Sequence, residues 1–338
     1  MNAMKITAVL FLSYFCFSFS VTICPDYCTC YFSNNITSVV CVSVKSLHDV
    51  PENIPPNATT ISLEFTNITT LKEKDFVGLF QLQELHLSSN MLTNISSGVL
   101  KDLHQLRILD LTNNFLKTFP PNLFSTSLNL TSLVLQGNRL QTTNPLWFSH
   151  LHSLEWLDLS NNMLTSILPN SFQNLTSLIT LDLSNNKLEN LSVDLFNKLS
   201  KLERLNLGNN QLYIIPPGIF DHVLNLKYLF LNSNNIGKIP VGLFNEVLNL
   251  DTIDLSDNKL ESLPTGVFDN LLQIGAKWQQ GPDLSLNPWV CNCDLKYLWH
   301  WLTMNSKKVY SLSTTVCAKP ETVSGKQIIT LSEMELMC

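Results

Sequence analysis

Charge is scarce in this chain: Asp, Glu, Lys and Arg together make up 14% of 338 residues, and the balance is −6 at neutral pH. A nucleic-acid-binding protein carries a basic patch or a basic excess, so that class is excluded. Glycine is also sparse, at 11 residues, and none of it forms a phosphate-cradling loop or a dinucleotide fingerprint. The seven histidines are scattered without ligand spacing, and neither H-E-x-x-H nor G-x-S-x-G occurs. Aspartate recurs in D-L-S and D-L-T triplets, but at a fixed interval, so its pairings come from repetition and not from an acid–base site. These absences predict a protein that is not an enzyme and needs no cofactor or metal. Acidic tails, tyrosine-rich ends and Ser-Gly clusters are missing too, which argues against a matrix-structural role. Beyond residue 20 no run approaches the roughly 18 apolar residues of a membrane span, so neither a span nor a glycolipid anchor is expected. Finally, cysteine is absent from the whole stretch between Cys41 and Cys291.

What fills that stretch is a repeat. Leu82 to Leu92 reads L-x-x-L-x-L-x-x-N-x-L, and the frame returns at Ala58, Leu82, Leu106, Leu130, Leu154, Leu178, Leu202, Leu226 and Leu250. That is nine units of 24 residues without an insertion. The fourth and sixth positions alternate with polar residues, as a short strand with one buried face requires. The ninth position is Asn in every unit except the first, which has Thr66. A buried amide must be satisfied, so these asparagines are expected to bond backbone groups of neighbouring units. Phe76, Phe124, Phe148, Phe172, Phe196, Phe220, Phe244 and Phe268 share a second phase, with Leu100 substituting once. Such a spine makes each unit a wedge and the stack a curve. A period of about 20–29 residues with this pattern resembles the leucine-rich repeat family. The fold class it implies is α/β: a curved horseshoe with a parallel sheet lining its concave side.

The ends differ from the middle. Residues 1–20 read as a secretion signal, with Lys5, an apolar run from Ile6 to Phe19 and a small-x-small site before Val21. A secreted, extracellular chain follows. Removing the signal removes Cys16 and leaves eight cysteines, four at Cys24, Cys28, Cys30 and Cys41 and four at Cys291, Cys293, Cys317 and Cys338. Even counts at both ends of an exported solenoid read as stapled caps more readily than as zinc sites. Spacing alone leaves three pairings open in each cluster. The period breaks only near the end, where the ladder resumes at Asn287, 29 residues beyond Asn258, with the extra residues around Trp278. The domain plan is thus a signal at 1–20, a cap at 21–57, nine repeats at 58–273, and an irregular last repeat and cap at 274–338. Trp299, Trp301 and Leu302 are expected to cover the core of the last repeat.

Seven N-x-S/T acceptors follow the signal: Asn35, Asn57, Asn67, Asn94, Asn129, Asn174 and Asn190. None falls at a position that faces out from the strand, so glycans would leave the inner face open. That face has ten acids (Glu64, Glu84, Asp110, Glu155, Asp158, Asp182, Glu203, Asp251, Asp254 and Asp257) against Arg107, Arg204 and Lys227. Asp110, Asp158, Asp182 and Asp254 share its fifth position. The plain alternative is a solvated surface, because aspartate suits this position in such repeats. Against it stand Trp156, Tyr228 and Phe230, aromatic residues amid charge of the kind that protein interfaces concentrate. The expected site is a concave surface for a basic protein, anchored by the three aromatics and steered by the four aspartates.

Four stretches carry a closer resemblance: I-S-L-E-F-T-N-I-T-T-L from Ile61, L-Q-E-L-H-L-S-S-N from Leu82, L-R-I-L-D-L-T-N-N from Leu106, and W-x₄-D-L-S-L-N-P-W-V-C from Trp278. With V-T-I at the mature start, they are similar to the leucine-rich alpha-2-glycoprotein family among secreted leucine-rich repeat proteins. The mammalian members have fewer cap cysteines. The flanking modules of such proteins imply the pairs Cys24–Cys30, Cys28–Cys41, Cys291–Cys317 and Cys293–Cys338. The resemblance further implies a circulating glycoprotein linked to transforming growth factor beta receptor signalling, angiogenesis and inflammation. Members of that family bind cytochrome c, a basic protein. Innate immune receptors and the regulatory subunit of a plasma peptidase share the same flanks and form the alternative.

Overall fold

In each repeat a three-residue strand buries its middle residue and turns the two flanking ones outward. Trp156–Asp158 shows this with Leu157 inside, and Thr180–Asp182 with Leu181. One such strand has too little apolar surface to stand alone, but stacked strands make a continuous core. The computed structural model describes residues 24–33, 36–276 and 281–336. Over these residues the chain forms a twelve-stranded sheet that opens with the hairpin of Thr29–Ser33 and Ile36–Val40. From Ile36–Val40 onward each strand adds in parallel to the one before. Register is kept one repeat at a time, so Leu157, Leu181 and Leu205 lie side by side. The expected secretion signal at 1–20, the acceptor Asn35, Trp278 and Cys338 lie outside the described residues.

The ninth-position asparagines form the expected ladder. Asn162 donates from Nδ2 to the Leu135 carbonyl of the preceding repeat at 2.9 Å and to Leu159 of its own at 3.1 Å. Its Oδ1 accepts from the Leu140 amide of the preceding repeat at 3.0 Å. Asn186, Asn210 and Asn234 repeat the arrangement. In the first repeat Thr66 joins the ladder from the other side, donating its amide and hydroxyl to Asn90 Oδ1. The residue just before each of Asn162, Asn186 and Asn210 takes a left-handed turn with φ of 53°, and all three are asparagines, which tolerate it.

On the opposite side the phenylalanines stack. Ring centroids are 6.0 Å apart from Phe148 to Phe172 and 6.4 Å apart from Phe196 to Phe220 and from Phe220 to Phe244. Strands pair at about 4.8 Å. The back of each repeat is therefore wider than its front, and the stack bends towards the sheet.

The caps close the stack. Disulfides join Cys24 to Cys30, Cys28 to Cys41 and Cys291 to Cys317. Cys293 is also disulfide-bonded. At the far end α1 (Lys296–Asn305) buries Leu298, Trp301 and Leu302. The Trp301 ring lies 4.9 Å from that of Phe268, so it covers the last member of the spine. Trp299 is partly buried and donates from Nε1 to the Leu331 carbonyl at 3.0 Å. Among the described residues no helix is long and apolar enough to cross a membrane.

Candidate functional site

The concave sheet presents two columns of side chains, one on each side of the buried middle residue. The first runs Ser132, Trp156, Thr180, Arg204, Tyr228, Thr252 along paired strands. Its neighbour runs Asp110, Val134, Asp158, Asp182, Asn206, Phe230, Asp254, Asp283. Trp156 stands between the short Ser132 and Thr180 and is 47% exposed. Tyr228 and Phe230, on the outward side of buried Leu229, are half-buried. Arg204 covers part of both: its guanidinium lies 4.5 Å from the Phe230 ring centroid and 5.7 Å from that of Tyr228. That contact desolvates one face of each ring.

The three aromatic anchors do not form one cluster. Two intervening strands separate Trp156 from Tyr228, and at about 4.8 Å per strand pair that is roughly 14 Å. Tyr228 and Phe230 instead belong to a pocket of about 320 Å³ at the junction of the last repeats with the C-terminal cap. Arg204, Thr252, Ile253, Asp254, Gly281, Asp283 and Tyr310 complete it. Its far wall is held by backbone contact. The Gly281 amide donates to the Lys308 carbonyl at 3.1 Å, and the Tyr310 amide donates to Pro282 at 3.1 Å. A Cβ on Gly281 would sit 2.3 Å from the Lys308 carbonyl oxygen, so only glycine lets the cap approach this closely.

The four aspartates turn out to be committed to the fold as well as exposed to the face. Oδ1 of Asp110, Asp158, Asp182 and Asp254 accepts from the backbone amide two residues on, at 2.8 to 3.0 Å. In Asp182 and Asp254 it also accepts from the hydroxyls of Ser184 and Ser256 at 2.6 Å. Asp182 Oδ2 accepts from Asn206 Nδ2 at 3.0 Å, which leaves this carboxylate little freedom to meet a partner. Burial pushes the Asp158 and Asp254 carboxyls above the usual range; bonds from Ser160 and Ser256 oppose the shift, and neighbouring aspartates add to it. The aspartates therefore fasten the strand exits, and their charge stays on the concave face.

Sequence reasoning missed Asp283 and Tyr310. Asp283 was legible: once the frame is moved by the five-residue break, D-L-S from Asp283 repeats the earlier triplets. Tyr310 belongs to a cap without periodicity, so no spacing announces it.

The six described glycan acceptors all lie off the concave sheet. Asn57, Asn94, Asn129 and Asn190 are exposed, and Asn67 and Asn174 half-exposed. Asn129 and Asn174 donate from Nδ2 to the carbonyls of His104 and Ser149, each at 2.9 Å. A glycosylated amide keeps one N–H, so a sugar and this bond are compatible.

Comparison with known proteins gives a consistent picture. The leucine rich repeat family model matches residues 56–116, 80–126, 128–188, 177–236 and 224–274. A phospholipase A2 inhibitor of Gloydius brevicaudus siniticus is 44% identical over 68 residues, which is 20% of this chain and 20% of that protein. Leucine-rich repeat-containing protein 3 of Danio rerio is 33% identical over 92 residues, 27% of this chain and 34% of that protein. The matched segments thus span about a fifth to a third of these relatives. Among solved structures, a chain of the octameric complex of Latrophilin 3 (Lec, Olf), Unc5D (Ig, Ig2, TSP1) and FLRT2 (LRR) superposes with a TM-score of 0.77 at 27% identity. That superposition covers 93% of this chain and 99% of the other.

Proposed function

Because the chain belongs to the leucine-rich repeat family, a family of protein-interaction modules rather than catalysts, we propose that it is a secreted glycoprotein that binds a basic protein on its concave face. The observation that carries this reading is a concave sheet that combines the exposed Trp156 and the half-buried Tyr228 and Phe230 with a column rich in aspartate, and from which every described glycan acceptor is absent. Trp156, Tyr228 and Phe230 are the anchors, and Asp110, Asp158, Asp182 and Asp254 supply the field that steers a cation-rich partner. In this reading residues 1–20 are the export signal, 58–273 the binding surface, and 21–57 and 274–338 its caps.

The finer proposal is that the partner belongs to transforming growth factor beta receptor signalling, with roles in angiogenesis and inflammation. It draws support from the resemblance to leucine-rich alpha-2-glycoproteins, as does cytochrome c as a second basic ligand. The alternative is a soluble recognition module of another kind, an innate immune receptor or a regulatory subunit that holds an extracellular enzyme. The segment shared with a phospholipase A2 inhibitor favours the enzyme-holding form.

One experiment separates them. The secreted chain is immobilised and exposed to purified transforming growth factor beta receptor ectodomains, cytochrome c and a phospholipase A2, at low and high salt. The first reading expects binding to a receptor ectodomain or cytochrome c that weakens with salt. It also expects Tyr228→Ala with Phe230→Ala to cost about 2 kcal/mol or more. Binding confined to the phospholipase would select the alternative. Full affinity in the aromatic double variant would reject the concave site.

A further inference from the structure

The pocket beneath the C-terminal cap contains a carboxylate with unused capacity. Asp283 is 8% exposed, yet it lines an open cavity of about 320 Å³. Its Oδ1 accepts from the Ser285 amide at 3.0 Å and hydroxyl at 2.7 Å, and Oδ2 has no hydrogen-bond partner among the described residues. That oxygen is not sealed from water, Ser127 Oγ being the buried side-chain atom without a partner among the described residues, so a cation entering the cavity can reach it.

Asp254 stands beside it as its register partner on the neighbouring parallel strand. At about 4.8 Å between strands the two carboxylates are close enough for one cationic head group to bridge them. Oδ1 of Asp254 is likewise taken, by Ser256, and its Oδ2 has no hydrogen-bond partner among the described residues. The walls are aromatic, formed by Phe230, Tyr228 and the 54%-exposed Tyr310. Rings of this kind line the stem of a long side chain and favour a positive head. Charge fixes the sign of the occupant. Two carboxylates face one guanidinium, Arg204, whose near surface rests on Phe230, so the pocket carries a net charge of one negative unit that a monocation neutralises.

We propose that this pocket receives one lysine or arginine side chain of the protein bound on the concave face, its head group bridging Asp254 and Asp283 and its stem lying against Tyr310. The proposal rests on the concave-binding reading and gives it a definite contact. It also places the decisive part of the interface at the C-terminal end of the horseshoe, away from Trp156.

The test uses the full secreted chain and three small probes followed by saturation-transfer NMR: Nα-acetyl-lysine amide, Nα-acetyl-arginine amide and the neutral Nα-acetyl-citrulline amide. The expected result is binding of either cation and none of citrulline. Asp254→Asn with Asp283→Asn keeps both serine-bonding oxygens and should weaken the cation by about tenfold or more. Glu246→Gln, which removes an exposed carboxylate off the concave sheet and outside the pocket, serves as the charge control and should leave probe binding unchanged. Equal binding of citrulline, or cation binding that survives the double substitution, would overturn the proposal. Partner binding that survives the double substitution but is lost with Trp156→Ala would overturn the pocket's role and keep the concave reading. Probe binding as expected, with partner binding indifferent to every concave substitution, would sink the concave reading and leave the cation pocket.

Discussion

At the scale of single residues, the fifth-position aspartate shows how one side chain serves fold and surface together. Its Oδ1 closes the turn after the strand, as in Asp158 with Ser160, while its charge remains on the concave face. Burial holds the Asp158 carboxyl above the usual range, with Asp182 and Asp110 adding to the shift and the Ser160 bonds opposing it. The folded chain therefore keeps this proton to higher pH than the unfolded chain does. The stability so gained is complete below the unfolded-state value near 4 and is lost as pH rises through the raised native value. Asp158→Asn keeps the acceptor and removes the charge. It should melt at a higher temperature than the parent at pH 7, with the advantage shrinking below about pH 4. Thermal denaturation at both pH values checks this, and an equal gap at each would refute the charge argument. The dual role was only half legible: periodicity located Asp110, Asp158, Asp182 and Asp254, but the turn bonds that claim their oxygens appear only in three dimensions.

At the scale of elements, repeats and cap differ in what holds them. The spine carries the repeats: Phe196 and Phe220 are fully buried and stack at 6.4 Å with 8° between their planes. Phe196→Ala should cost about 4 kcal/mol, by lost transfer energy and the cavity left behind. In urea the loss should appear as an earlier midpoint, with a broadened transition if the two halves of the stack separate. An unchanged midpoint would mean that the spine is not what couples the repeats. This element was legible, because a 24-residue period announces itself. The pocket was not, since its far wall depends on how the aperiodic segment around Lys308 lies against Gly275 and Gly281.

At the scale of the whole molecule, the horseshoe separates its acidic, partly aromatic concave sheet from the flanks that hold the described glycan acceptors. Exposed acceptors such as Asn94, Asn129 and Asn190 sit off the concave sheet, whereas the junction with the C-terminal cap carries none among its described residues. Enzymatic removal of N-glycans from the secreted chain should increase its mobility on a denaturing gel while leaving partner binding intact. Unchanged mobility would show the acceptors empty, and lost binding would place the partner on a flank. The parallel stack, its curvature and its stapled ends all followed from pattern. The aromatic pocket at one end did not, because Gly281 and Tyr310 reach it from a cap without periodicity.

The asparagine ladder has a direction. Asn162, Asn186, Asn210 and Asn234 each reach back to carbonyl and amide groups of the repeat before them, at Leu135 and Leu140 in the case of Asn162. A chain that leaves the ribosome amino end first offers every new coil a finished docking edge, and no coil waits for a later one to secure its asparagine. The horseshoe is thus suited to being laid down in order of translation, with the cysteine-rich amino end as its foundation and the aromatic pocket the last part to take shape.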